Sequence, residues 1–270
     1  MSTPREFVES SQSRRHFLAG SVGTLGAAAL LGKIAAAQNQ VAAVAPESAA
    51  LAADAKKLRI GVIGVGGAGG CAMGLGHCHA LVSINKKGRE KVEVAAIADL
   101  NSLFLDRAKK QIDEAQGGSV KAYKTHAELL ADKSIDGVVI AVPEHWHAMA
   151  AIDAIKAGKD VYLEKPMTLN LPDAIALAEV AKAHPKVIVQ VGTQQTRMPK
   201  FHAAKKLIED GAIGVPTFSQ TSYCRNSSKH NPPGEWHYTI DKNWKPGENV
   251  NWNMRCKPLG ETLTWDPKVY

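Results

Sequence analysis

A doubly wound α/β fold, a parallel sheet with helices on both faces, is the class this sequence predicts, followed by the start of a second α/β domain with an open sheet. Three observations predict it. Short, unbroken apolar runs recur at Leu58–Ile63, Val92–Ala98, Gly137–Val142, Asp160–Leu163 and Val187–Val191, and continuous apolar strands belong to sheets buried on both faces. Segments with helical spacing lie between them, at 68–84, 102–116, 125–131, 146–157 and 171–184; strands alternating with helices build parallel crossover units. A glycine cluster sits where the first run gives way to the first helical segment.

The elements before this region have a different character. Arg14-Arg15 precedes a mild apolar run, Ala19–Gly32, then Lys33 and the small residues Ala35-Ala36-Ala37. The run is too short and too weakly apolar to span a bilayer, which takes about 20 apolar residues. Basic residues, an apolar segment and small residues in that order make a secretory signal, and the Arg pair resembles the twin-arginine type. Residues 1–37 are thus expected to be an export leader, the twin-arginine machinery a partner and the location periplasmic or otherwise exported. A disordered basic tail with an Ala-rich helix is the plainer alternative. Residues 38–57 read as an Ala-rich linker.

Composition narrows the class. The chain has 270 residues, 45% hydrophobic and 22% charged, with a formal net charge of +7, as in a soluble globular protein. No dense basic run with interleaved aromatics accompanies that charge, which argues against a nucleic-acid partner. The four cysteines (Cys71, Cys78, Cys224 and Cys256) form no C-x-x-C pair, and a chain this long needs no disulfide to hold a core. All four read as thiols.

Residues 58–198 are expected to be a dinucleotide-binding domain of Rossmann type. Gly64-Val65-Gly66-Gly67-Ala68-Gly69 is G-x-G-x-x-G directly after a strand and opening a helix, the context that gives the hexapeptide its force. Gly64 allows the tight turn, Gly66 with Gly67 beside it lets the backbone approach a pyrophosphate, and Gly69 lets helix and strand pack closely. The helix N-terminus then offers unpaired N–H groups to the anion. Asp99 ends the second strand, where a carboxylate accepts the two ribose hydroxyls; an acid there favours NAD, since a 2′-phosphate would be repelled. Arg107 on the following helix keeps NADP possible. A glycine-rich turn without ligand is the alternative. Asn101 is placed to cap the second helix, Thr125-x-x-Glu128 is a capping box, and Gly117 and Gly158 stand where helices end.

Glu164-Lys165-Pro166 follows the strand Asp160–Leu163, at the sheet edge where open α/β folds place ligands. A lysine fixed beside a proline there can hold its amino group near a substrate hydroxyl and help draw off the proton; a solvated turn lysine is the alternative. His145 and His147, and likewise His77 and His79, are two apart, a spacing that points helical side chains in different directions, so no metal site is expected. From Pro199 a helix, FHAAKKLIEDG, leads to the alternating run Val215–Cys224, the expected first strand of the second domain. Residues 225–270 show no sustained period yet hold four of the five tryptophans. Residues 199–270 are therefore expected to be the beginning of an incomplete second domain, with a mobile, sticky tail, and the chain alone to show little or no turnover. The tryptophans suit sugar stacking or a domain core equally.

AVPEHWHAMAAIDAIKAGKDVYLEKPMT, VGTQQTRMP and VPTFSQTSY, taken with the glycine loop, resemble the glucose–fructose oxidoreductase / inositol dehydrogenase (Gfo/Idh/MocA) family, over roughly residues 58–224. The resemblance implies NAD(P)-dependent hydride transfer on a sugar, polyol or related molecule, and a second domain that binds substrate and forms a homo-oligomer. It implies a catalytic role for Lys165, and places His147, four residues after Pro143, beside nicotinamide and substrate; a helix N-terminal histidine bonded to backbone is the alternative. It puts Pro143 and Glu164 at the cofactor, Glu164 orienting its surroundings rather than reacting. Gln194 and Arg197 fall where the family has an Arg near the cofactor, although Arg197 stands two residues, not three, before its proline. The family's proton-transferring Asp and His, four residues apart, have no counterpart after Tyr223: Asp241 leads to Lys245 and Asp266 to Tyr270. Some relatives use transient oxidation to cleave a glycosidic bond and then return the hydride; NAD-dependent glycosidase and non-catalytic cofactor binder are the alternative functions.

Overall fold

The computed structural model describes residues 56–67, 72–193, 196, 198–222, 240–267 and 270. The expected leader, Gly69, Cys71, Gln194, Arg197, Cys224 and Trp236 lie outside them. The chain divides into two compact units, Ser48–Thr193 with Cys224–Tyr270, and Gln194–Tyr223 with Met1–Glu47.

The larger unit is the doubly wound sheet. Its strands are β1 (Leu58–Ile63), β2 (Val92–Ala98), β3 (Lys121–Tyr123), β4 (Gly137–Ile140), β5 (Asp160–Leu163) and β6 (Val189–Val191). They lie in the order β3-β2-β1-β4-β5-β6, and every pair is parallel. The strand order reverses between β1 and β4, the switch point beside which dinucleotides bind in such folds. The helices are α1 (Met73–Lys86), α2 (Ser102–Gln116), α3 (His126–Ala131), α4 (Glu144–Lys156) and α5 (Leu171–Ala183).

Burial on both faces explains why the long strands are mostly apolar, with the charged residues Arg59, Glu93 and Asp160 confined to their starts. One face packs Ile63, Ala96, Ile140 and Leu163 with Leu129 of α3, Ile155 of α4 and Leu177 of α5. The other packs Val62, Val94 and Ile97 with Cys78 and Val82 of α1 and Leu105 and Ile112 of α2. The helix signals act as the sequence predicts. Asn101 accepts the N–H of Leu103 at 2.9 Å, the Thr125–Glu128 capping box forms in both directions, and Gly117 closes α2 in the left-handed region. Asn170 caps α5 through the N–H of Asp173.

Three expectations change. Among the described residues the first helix starts at Met73 rather than 68, and β3 is a strand the sequence reading did not find. The tail is ordered where it is described: α7 (Trp252–Cys256) and a 3₁₀ turn (Lys257–Leu259) follow a loop fastened to the end of β2. The Ser102 N–H donates to Asn249 and the Asn251 N–H to Leu100, both at 2.9 Å, while Trp146 Nε1–H donates to the Arg255 carbonyl at 2.8 Å. Val250, Trp252 and Cys256 are buried. Trp252 sits edge-on to Trp265 (5.0 Å) and Trp244 edge-on to Phe104 of α2 (5.8 Å), so three of the four tail tryptophans pack against protein.

The smaller unit contains α6 (Pro199–Glu209). Residues 215–222 form no strand ladder, and Val215 and Phe218 are more than four-fifths exposed. An alternating run becomes a strand only by pairing, and no strand pairs with it among the described residues.

Candidate cofactor-binding and active site

Three strand ends on the C-terminal edge of the sheet carry the site. Ala141 N–H bonds to Ile63 and Gly64 N–H to Ala98 at 2.8 Å, so the turn after β1 is tied to both neighbouring strands. Gly64 has φ +87°, and a Cβ there would meet the Ala141 carbonyl oxygen at 2.6 Å. That position must be glycine. Gly66 must be glycine for a different reason: its Cβ would fall 2.4 Å from the Phe104 ring and 3.0 Å from Asp99 Oδ2. The sequence assigns this glycine to the approach of a pyrophosphate; in the structure a phenylalanine of α2 occupies that side of it.

Close helix–loop packing, assigned from the sequence to Gly69, is visible at Gly74. A Cβ on Gly74 would lie 1.8 Å from the Gly64 carbonyl oxygen, so α1 runs directly against the turn. Glycine-rich spacing continues through Gly70, Gly74 and Gly76, and that continuation is the signal the fingerprint alone does not use.

Asp99 stands where the acid was expected, and its carboxylate organises the loop. Oδ2 accepts the N–H groups of Val65 (2.9 Å) and Gly66 (2.7 Å), and Oδ1 that of Asn101 (2.9 Å). Burial pushes its pKa up to about 6, against the opposing pull of the Asn101, Gly66 and Val65 N–H groups and the Arg107 guanidinium. Arg107 reaches back to the same loop, donating to the Gly67 carbonyl at 3.0 Å with its guanidinium over the Phe104 ring. Beside Asp99 a cleft of ≈ 640 Å³ opens, bounded by Leu100, Ser102 and Lys124 and closed on its far side by the tail loop around Pro246–Asn253.

The residues of the opposite half gather at the ends of β4 and β5. Pro143 precedes α4 as its N-cap and accepts the Trp146 N–H at 2.8 Å. Glu164 is 4% exposed; one carboxylate oxygen accepts the Lys165 N–H at 3.1 Å, and the other lies 2.7 Å from His77 Nε2 on α1. Glu164 thus ties the Lys165 N–H to the His77 ring. Lys165 is exposed and its Nζ makes no hydrogen bond or ion pair with any described residue, which leaves it open to a ligand.

His147 stands in the first turn of α4. Its Nδ1 lies 2.5 Å from the Pro166 carbonyl oxygen and its Nε2 2.9 Å from that of Val142, and the residue is 2% exposed. A neutral imidazole carries one N–H, so the ring donates to one of these carbonyls and rests against the other, lying between the end of β4 and the Glu164–Pro166 turn. His77 and His79 diverge as their spacing requires, His77 to Glu164 and His79 toward Gln111 (3.4 Å). His77 is the site residue the sequence reading missed; only the helix facing of α1 toward β5 reveals it.

These features fit a dinucleotide: a turn strained open by glycine, an acid at the end of β2 holding that turn, and a free lysine at the end of β5. Comparison with known proteins agrees. Residues 58–193, half of the chain, match the family model described as oxidoreductase family, NAD-binding Rossmann fold (GFO_IDH_MocA). The inositol 2-dehydrogenase/D-chiro-inositol 3-dehydrogenase of Lactiplantibacillus plantarum is 29% identical over 61% of this chain and 43% of its own length. The myo-inositol 2-dehydrogenase of Thermotoga maritima is 33% identical over 59% and 43%. The crystal structure of Lactobacillus casei myo-inositol dehydrogenase with NAD(H) and myo-inositol superposes with a TM-score of 0.52 at 25% identity, over 60% of this chain and 44% of that one. The chain spans less than half the length of these relatives. Its sheet, its phosphate loop and the family match agree: the chain belongs to the Gfo/Idh/MocA oxidoreductase family and carries that family's NAD-binding Rossmann domain.

Proposed function

We propose that the chain supplies the cofactor half and part of the catalytic edge of an NAD-dependent dehydrogenase acting on a polyhydroxylated small molecule, a sugar or a cyclic polyol of the inositol class. The observation that carries this is the pairing of Asp99 and Lys165 on one sheet edge, on opposite sides of the β1/β4 switch point, the first fixed by backbone donors and the second free. Asp99 would hold the adenosine ribose hydroxyls, the Gly64–Gly67 turn the pyrophosphate, and Glu164 and Lys165 would stand at the nicotinamide end. NAD supplies a hydride acceptor at nicotinamide C4.

The protein's own groups do the rest. Lys165 Nζ donates a hydrogen bond to the substrate hydroxyl oxygen, holding the carbinol C–H toward the acceptor and stabilising the oxygen as its proton passes to solvent water. Glu164 fixes the backbone from which Lys165 extends, and His147 anchors the far side of the same turn. Inositol dehydrogenases among the relatives support a ring polyol as substrate.

Residues 1–37 are proposed as a twin-arginine leader, on the strength of Arg14-Arg15, the short apolar run and the small residues after it. Folding around a tightly held cofactor before export gives that route a purpose. Homo-oligomerisation through the region after Pro199 belongs to the same proposal.

The test is hydride transfer. The purified protein is incubated with NAD and a panel of inositols and hexoses, and NADH is followed by absorbance. Production of NADH that vanishes in Lys165→Ala supports the reading. A chain that binds no NAD, or NADH production that persists unchanged in Lys165→Ala, contradicts it.

A further inference from the structure

We propose that His77 is a positioning residue of the hydride-transfer end of the site, acting through Glu164 on Lys165. The proposal rests on the cofactor reading above and goes beyond it in assigning a role on α1, the helix that otherwise serves the phosphates. Glu164 is the most buried acid at the sheet edge, at 4% exposure, and it has two partners. Oε2 accepts the N–H of Lys165 and Oε1 faces His77 Nε2 at 2.7 Å. Its backbone is fixed as well, the Glu164 N–H donating to Ile140 at 2.9 Å.

The His77 ring is itself held. It packs edge-on to Tyr162 of β5, with centroids 5.4 Å apart and planes at 65°. The chain of contacts therefore runs from α1 through an oriented imidazole to a buried carboxylate and on to the N–H of the residue whose amino group is free. A carboxylate can rotate about its last bond; with one oxygen bonded to Lys165 and the other to His77, it cannot do so without losing a partner. Loss of His77 leaves a buried acceptor unpaired, and such groups find new partners by moving. The nearest structure to move is the Glu164–Pro166 turn. His77 thus couples the start of the phosphate-binding helix to the placement of Lys165.

Two probes separate this role from simple structural support. ADP-ribose reports on the adenosine and pyrophosphate half alone, and NADH, through its nicotinamide fluorescence, on the whole site. Equilibrium titration of the full chain with each is carried out for wild type, His77→Ala, His77→Gln and Glu164→Gln, and for His77→Ala with Glu164→Gln. The expected result is that His77→Ala binds ADP-ribose within about twofold of wild type but NADH about tenfold more weakly, the scale of one lost buried partner. His77→Gln, which retains a donor, recovers most of that loss. The double variant is no worse than the worse single variant, since both break one interaction.

Equal effects of His77→Ala on the two probes, or no effect on either, overturn the assignment, as does strict additivity in the double variant. A wild-type chain that binds neither probe overturns the cofactor reading itself, and this assignment with it.

Discussion

The carboxylate of Asp99 accepts the backbone N–H of Gly66 across 2.7 Å, which ties the end of β2 to the turn after β1. The acid that is to hold the ribose therefore also shapes the loop that is to hold the pyrophosphate, and the two halves of the adenosine diphosphate site are built by one side chain.

That side chain gives the site a pH dependence. Burial raises the Asp99 pKa from 3.8 to about 6, while ribose hydroxyls donate hydrogen bonds and so favour the ionised carboxylate. Binding then releases a proton below about pH 6 and none well above it. NAD affinity is expected to be level above about pH 7 and to weaken as the pH falls through 6, approaching tenfold per unit. In the ligand-free chain the raised pKa has the opposite sense: its contribution to stability falls as the pH rises from the unfolded value through the folded one. Calorimetric titration across that range checks the first expectation, and an affinity unchanged down to about pH 5 contradicts it.

Gly74 and Gly76 make a paired test of the packing of α1. Gly74→Ala places a methyl 1.8 Å from the Gly64 carbonyl oxygen, whereas a Cβ on Gly76 has nothing within 4 Å. Gly74→Ala is expected to cost about 3 kcal/mol or more and to weaken NAD, because the helix can only retreat by moving the turn. Gly76→Ala is expected to stabilise the helix by about 0.5–1 kcal/mol. Urea unfolding of both variants reads the difference, and equal midpoints would show that α1 does not press on the loop.

His147 and Lys165 separate stability from binding. His147→Leu removes the one N–H by which the ring donates to the Val142 or the Pro166 carbonyl and is expected to cost about 1–3 kcal/mol. Lys165→Ala, at an exposed position without partners, is expected to change stability by less than about 0.5 kcal/mol. Unfolding midpoints check both. A His147→Leu variant as stable as wild type would contradict that contribution.

The leader has its own test. Arg14→Lys with Arg15→Lys should leave folding and NAD binding unchanged and hold the protein in the cytoplasm. Fractionation that finds the double variant outside the inner membrane contradicts the twin-arginine reading.

Much of this was legible in the sequence, for physical reasons. Strands buried on both faces are apolar along most of their length, so five of the six stood out, and Asp99, Glu164 and Lys165 were placed by standing at strand ends. β3 escaped because it is three residues long with two of them exposed, too short for any period. The strand expected at Val215–Cys224 was read from alternation, which records a preference that only a neighbouring strand can satisfy. The tail escaped because its order comes from single anchoring contacts, Asn251 N–H to Leu100 and Trp146 to Arg255, and long-range pairs of that kind leave no periodic trace. The contact of His77 with Glu164 was not legible, because the two residues stand 87 apart in the chain and meet only through the packing of α1 beside β5.

The central claim is that Asp99 makes this a site for NAD. Equilibrium titration of the purified chain with NAD and with NADP, for wild type and Asp99→Ala, tests it most directly. The account predicts saturable binding of one NAD per chain, about tenfold or more tighter than NADP, and an Asp99→Ala variant that loses affinity for NAD far more than for NADP. Equal loss of both nucleotides in the variant, or a wild type that prefers NADP, would contradict it.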